Sequence, residues 1–168
     1  MRACTRTGLI TATLAVAAAG SPMLLASGDP EACSLLTTTA VSAALGVTVG
    51  PGETLHLATQ PSNHGMCQWA QPNDAAGRGK KAQLDVFGPL GKLTPVNRFT
   101  DGKAPFPGIT KVSVSGVGDD AYFTTNALGT SLTVRRGSAA FQVRVYGFGV
   151  EEAKVIEKNL ALLTLARL

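Results

Sequence analysis

The stretches KVSVSGVGDDAYF (111–123), GTSLTVRRG (129–137) and SAAFQVRVYG (138–147) decide the fold. Apolar and polar residues alternate through them. Leu132 and Val134 fall on one face, with Thr133 and Arg135 on the other. Beyond a turn at Arg136-Gly137-Ser138, Phe141, Val143 and Val145 point one way, while Gln142, Arg144 and Tyr146 point the other. A period of two over this length predicts antiparallel strands with one buried and one wet face. From Val150 the period switches to 3.6. Val150, Ala153, Ile156, Leu160 and Leu163, flanked by Leu162 and Leu165, predict one helix lying across the sheet. Glu151 and Glu152 in its first turn and Arg167 in its last suit the helix dipole.

Upstream, Thr37 can cap a short helix that Gly46 ends. Leu36 before the cap and Val41 inside it have the spacing of a hydrophobic staple. Pro51-Gly52 signals a turn. Residues 55–59 and 66–70 read as short strands, the second placing Cys67 and Trp69 on one face. Trp69 either packs against a disulfide or serves as an exposed binding aromatic. Residues 80–87 return as a strand with Leu84 and Val86 inward. Residues 88–108 hold four prolines and four glycines. Thr94-Pro95 predicts an N-cap and N1 proline for a single turn at 96–99, with 101–107 irregular. Phe99 and Phe106 are expected to fold beneath this segment as a satellite cluster. So long a loop in a compact domain is often functional.

The chain is 168 residues long, a length that favours one folded domain. Its first part reads as a secretory signal peptide at 1–28. Arg2 and Arg6 form a basic start, residues 9–19 (LITATLAVAAA) an apolar core, and Ala26-Ser27-Gly28 a small-residue cleavage site before Asp29. An uncleaved anchor is the alternative. Residues 29–168 are then a single α+β domain, secreted or held in the periplasm or cell envelope, with no stable membrane insertion after cleavage. Of 15 Lys and Arg against 11 Asp and Glu, two basic residues leave with the leader, so the net charge drops from +4 to +2. The only local basic cluster is Arg78, Lys80 and Lys81, too small for a nucleic-acid footprint. Cys4 also leaves with the leader, and Cys33 and Cys67 remain as a pair in an oxidising compartment, where a disulfide is expected.

No motif brings chemistry with it. Gly116-Val117-Gly118-Asp119-Asp120-Ala121 matches a dinucleotide pattern, but strand residues follow where that pattern needs a helix. Gly147-Phe148-Gly149 precedes the last helix, so no strand-helix-strand unit can form on it. Asp119 and Asp120 are adjacent, and successive strand residues face opposite ways, so they do not form an automatic catalytic pair. His56 and His64 give at most two ligands of a metal site that needs three or four. Neither cofactor, metal nor catalytic residue is therefore assigned.

Several short motifs carry a resemblance: Cys33-Ser34-Leu35-Leu36-Thr37 followed by Ala44-Leu45-Gly46, then Cys67-Gln68-Trp69, then Val114 to Tyr122 (VSGVGDDAY). In their order and in the paired cysteines the chain resembles a family of small actinobacterial exported proteins and lipoproteins, catalogued as domain of unknown function 3558. The resemblance spans most of the mature chain. It implies an α+β sandwich with a disulfide tying the first helix to the sheet, and no established enzymatic activity. Many members are lipoproteins; this chain lacks an acceptor cysteine after its apolar core.

The expectation is thus an α+β fold: a curved antiparallel sheet packed against a C-terminal helix, with a short N-terminal helix tied on by a disulfide. The function expected is a non-enzymatic binding or interaction module of the cell envelope. Its candidate surface combines the 88–108 segment with the wet strand face bearing Arg135, Arg144 and Tyr146, and the candidate binding residues are Trp69, Phe99, Phe106, Arg135, Arg144 and Tyr146. The partner is an envelope protein or a small apolar ligand. The alternatives are a carrier of an apolar molecule lined by Phe141, Val145, Ile156 and Leu160, and an envelope hydrolase using Asp119, Asp120 and a histidine.

Overall fold

The structure, a computed structural model, describes residues 31–55, 65–73 and 77–168. The leader with Cys4, both histidines and nearly all of the strand expected at 55–59 lie outside the described residues. The fold is α+β. Seven strands form one antiparallel sheet: β1 (Glu53–Thr54), β2 (Gly65–Ala70), β3 (Lys81–Val86), β4 (Thr110–Val114), β5 (Asp120–Asn126), β6 (Gly129–Arg136) and β7 (Ala139–Tyr146). Their order is β1-β2-β3-β7-β6-β5-β4, so β7 crosses back to the middle. Four helices accompany it: α1 (Ala32–Leu35), α2 (Thr38–Leu45), α3 (Pro95–Lys103) and α4 (Val150–Leu165).

The period of two sets the faces as expected. Register places Trp69 opposite Ala82, Cys67 opposite Leu84, Leu84 opposite Val143, and Val143 opposite Leu132. These side chains share the face that α4 covers and form one continuous core with Ala153, Ile156, Leu160 and Ala161. Phe141, Val145, Ile156 and Leu160, the proposed carrier lining, belong to that same packed cluster.

The helix sits rotated from the expected stripe. Ala153, Ile156, Glu157, Leu160, Ala161, Thr164 and Leu165 are buried, whereas Val150, Leu162 and Leu163 are exposed. Apolar residues cover more than one side of this helix, so docking decides the orientation. Ala153 and Ala161 let α4 approach β6 and β7 closely, while α2 packs on its flank. Arg167 falls beyond the helix, where its guanidinium donates to Ser34 O at 3.4 Å.

The N-terminal elements follow the local code. Thr37 Oγ1 accepts from Ala40 N, Leu36 and Val41 are buried, and Gly46 closes α2 with φ of 64°. The extra turn α1 carries Cys33, bonded to Cys67 on β2 with a sulfur separation of 1.97 Å. Trp69 packs on the same face at 1% exposure. Gly52 seats against both: a Cβ there would fall 2.8 Å from Cys67 Sγ and from the Trp69 ring. Trp69 is therefore a core residue and not an exposed binding aromatic.

The segment 88–108 is more ordered than its composition suggests. Thr94 caps α3 and Pro95 occupies its first turn, as expected, but the helix continues through Asp101 and Gly102 to Lys103. Tertiary contact overrides the poor local propensity. Phe99 is 2% exposed against Tyr122, Ala140 and Phe87, with the Phe99 and Tyr122 ring centroids 5.2 Å apart. Gly102 lies so close to the Tyr122 hydroxyl that a Cβ would sit 2.6 Å from it. Phe106 does not join this cluster and is 63% exposed at the turn before β4.

The bridge closes a loop over a sequence separation of 34, for which chain entropy gives about 3–4 kcal/mol. The Cys33→Ser and Cys67→Ser variants, alone or together, should lose that much stability in urea titration. A double variant losing twice the single-variant effect would contradict a shared cross-link.

Candidate binding face of the sheet

The face away from α4 is polar by register. Lys81 lies opposite Tyr146, Gln83 opposite Arg144, and Asp85 opposite Gln142. Thr133 continues the row from Gln142 to Tyr122, and Arg135 pairs with Asp120 across β5. Arg135, Arg144 and Tyr146 therefore do share one face, as the alternation predicts.

Helix α3 divides this face by covering one end. Phe99 plugs onto Tyr122 and Ala140, so it is an anchor of α3 and not an accessible surface residue. Arg98 donates to Gly88 O at 3.1 Å and stacks 4.4 Å from the Phe87 ring centroid. Burial holds the Arg98 guanidinium below its usual range, and Asp85 opposes that shift. Lys103 at the helix end donates to both Asp120 oxygens at 2.8 and 2.9 Å. Lys111 on β4 donates to the carbonyls of Gly102 and Ala104. Arg135 lies at this covered end, 3.5 Å from Asp119 and over the Phe99 ring. Burial also raises the Tyr122 phenol above its ordinary range, which keeps it neutral beneath α3.

The other end stays partly exposed. Gln68, Lys81, Gln83, Thr124, Arg144 and Tyr146 are half-buried there. The Tyr146 hydroxyl donates to Gln83 Oε1 at 3.2 Å, and the Lys81 ammonium sits 5.0 Å from the Tyr146 ring centroid. Six cations face this side (Lys81, Arg98, Lys103, Lys111, Arg135 and Arg144) against three carboxylates, Asp85, Asp119 and Asp120. Most are engaged as described. Among the described residues, Arg144 has neither a hydrogen bond nor a salt bridge, and its charge acts on Glu157.

Beside Arg144 the β6–β7 pairing ends. The β6–β7 ladder runs from the Arg136–Ala139 pair to the Leu132–Val143 pair and stops, although β6 begins at Gly129 and β7 runs on to Tyr146. Alternate residues of β7 direct their backbone groups to opposite neighbours. Ala140 O accepts from Phe87 N on the β3 side, so Val145 faces β6. Its N–H finds no strand there and donates instead to Glu157 Oε1 at 3.2 Å. Glu157 thus reaches from α4 into the gap and is 0% exposed.

Three buried oxygens at this gap lack hydrogen-bond partners: Glu157 Oε2, Thr130 Oγ1 and Ser131 Oγ. Burial pushes the Glu157 carboxyl up to about 8. The Val145 N–H, the Arg144 charge, Thr130 and Lys154 all oppose that shift. Thr130 lies near enough to favour the ionised form, yet its hydroxyl misses hydrogen-bond geometry. Sequence reasoning overlooked Glu157. The signal was present, because Glu157 falls four residues after Ala153 and three before Leu160, in the middle of the buried stripe.

The other candidates have structural employment. Asp119 accepts from Gly137 N at 2.7 Å, closing the turn after β6, while Asp120 holds Lys103. These two carboxylates serve different elements. The Gly116-x-Gly118 motif is a tight turn leading into β5: Gly118 has φ of 61°, and a Cβ there would stand 2.5 Å from Arg135 O. Among the described residues, no three His, Cys, Asp or Glu side chains are grouped to hold a metal, and no helix is long and apolar enough to cross a membrane. No protein-family model, curated protein or solved structure matches the chain.

The Glu157 environment sets a pH dependence of stability. The unfolded chain releases this proton near 4.5, while the folded chain holds it to about 8. The folded state is thus favoured most below the lower value and loses ground as pH rises through that window. The loss is on the order of 5 kcal/mol. Glu157→Gln should flatten this slope in urea titrations at pH 5 and pH 8, and should match or exceed the parent at pH 8. An unchanged slope in the variant would show that other groups cause it.

Proposed function

We propose that this protein is an exported, non-enzymatic binding module of the cell envelope, and that it takes its ligand on the open half of the second sheet face. The observation that carries this reading is the half-buried polar floor around Arg144, whose guanidinium makes no hydrogen bond or salt bridge among the described residues. A folding role does not explain it. Cations at the covered end are matched to carboxylates, carbonyls or rings, and most of those contacts hold α3 in place. Buried and half-buried polar groups without partners are costly, so their retention suits recognition of something from outside.

Export rests on the basic start, apolar core and small-residue site of residues 1–28. The disulfide supports it, since such bonds persist in oxidising compartments. Membership of the family catalogued as domain of unknown function 3558 is proposed on the residue motifs alone, and a family without established activity fits a binding role. The surface proposed here comprises Lys81, Gln83, Arg144 and Tyr146, with Arg135 and the exposed Phe106 toward α3.

A photo-crosslinking amino acid placed at Gln83 or Tyr146, in the full chain exported by its own leader, tests the assignment. Adducts, whether protein or small molecule, are read by mass spectrometry after irradiation of intact cells. The expected result is a specific adduct from these positions and none from Val155 on the outer side of α4. Adducts from Val155 alone would overturn the placement.

A further inference from the structure

We propose that the break in the β6–β7 ladder is a carboxylate-binding site, built by Arg144 and Ser131 on the second face and controlled from the helix side by Glu157. The inference rests on the reading of that face as the binding surface and names its ligand class and its regulation.

Two independent features point to an acidic ligand. The first is Arg144, half-buried and without an ion pair or hydrogen bond among the described residues. A guanidinium offers paired donors in a planar fork, which match the two oxygens of a carboxylate. The second is Ser131, at 0% exposure with an unpartnered hydroxyl. Extending the β6–β7 register places Ser131 opposite Arg144 where the ladder has stopped. Its neighbour across β5 is Thr124, another hydroxyl on the same face. A buried hydroxyl beside an unmatched cation is a donor set for an anion. A cation would meet the charges of Arg144 and Lys154 instead.

Glu157 makes the site responsive. It enters the same break from the opposite side, held by the Val145 N–H. The groups acting on it are Arg144 on β7, Thr130 on β6 and Lys154 on its own helix. Helix α2, which also packs on α4, carries no charged side chain. When Glu157 is neutral, the field of Arg144 acts on a ligand at the second face. When it ionises, it competes for that field through the sheet. A bound carboxylate and an ionised Glu157 therefore disfavour each other, and by linkage ligand binding promotes proton uptake. Affinity should fall as pH rises through the range in which Glu157 ionises.

The test uses the oxidised mature chain and three probes: succinate, its neutral diamide succinamide, and inorganic phosphate. In nuclear magnetic resonance titrations at pH 6.5, succinate should shift the Arg144 side chain and the Ser131 and Val145 amides, while succinamide should not. Arg144→Gln should abolish these shifts and Ser131→Ala should weaken binding at least about threefold, both with well-dispersed spectra. Calorimetry should find succinate binding about fivefold weaker at pH 9.5 than at pH 6.5, at the low end of ordinary couplings. Glu157→Gln should remove most of that difference. Phosphate binding as tightly as succinate would overturn the carboxylate class. Succinate shifts confined to Lys81 and Tyr146, or equal pH dependence in Glu157→Gln, would overturn this site while leaving the wider face intact. Crosslinking from Val155 alone would instead remove the face reading beneath it.

Discussion

A strand in the middle of a sheet must satisfy the hydrogen bonds on both of its edges, and here that strand is β7. It pairs with β3 over six residues from Lys81 to Val86, and with β6 over only part of its length. Where β6 departs, the Val145 N–H would be orphaned inside the protein. The carboxyl of Glu157 takes it. That contact joins the sheet to α4 where β6 and β7 stop pairing, and it explains why an acidic residue occupies the middle of a buried stripe.

The two sides of the sheet are built on different physics. On the α4 side, stacked apolar side chains from β2, β3, β7, β6 and β5 form the core, and the disulfide fastens α1 beneath it. On the other side, an apolar plug and charged contacts hold α3 over one end only. Burial of Phe99 supplies most of the attachment, because the partly exposed Lys103–Asp120 pair adds little in water. The remaining half of that face is left to polar side chains and to Arg144. A scaffold that is rigid on one side and half uncovered on the other suits recognition, with the uncovered part positioned by strands and not by a mobile loop.

The break beside Arg144 links the two sides. The charge of Arg144 on the second face acts on Glu157, although the Glu157 side chain comes from the helix layer. A continuous ladder would have separated the two groups by a closed layer of backbone. Its interruption places an ionisable group, an unmatched cation and unpaired hydroxyls around one discontinuity. The structural irregularity and the unpaired polar groups therefore coincide, and the binding proposal rests on their coincidence.

The sequence by itself determined the strands and their faces, because alternation at 129–146 is a local property that the pleat converts directly into inside and outside. It also determined the Thr37 and Thr94 caps, the Gly46 terminus and the cysteine pairing, each a short-range rule or a matter of elimination. Tertiary structure decided the rest. It chose which arc of α4 faces inward, because leucines cover more than one side of that helix and only docking selects among them. It extended α3 through Gly102 to Lys103, because Phe99 and the Lys103–Asp120 pair hold that helix on the sheet. It buried Trp69 and Phe99, since an aromatic residue reads the same in sequence whether it anchors a core or meets a ligand. The gap at Val145 was not legible at all: where two strands part depends on how a twisted sheet meets the helix above it, and no periodicity records that.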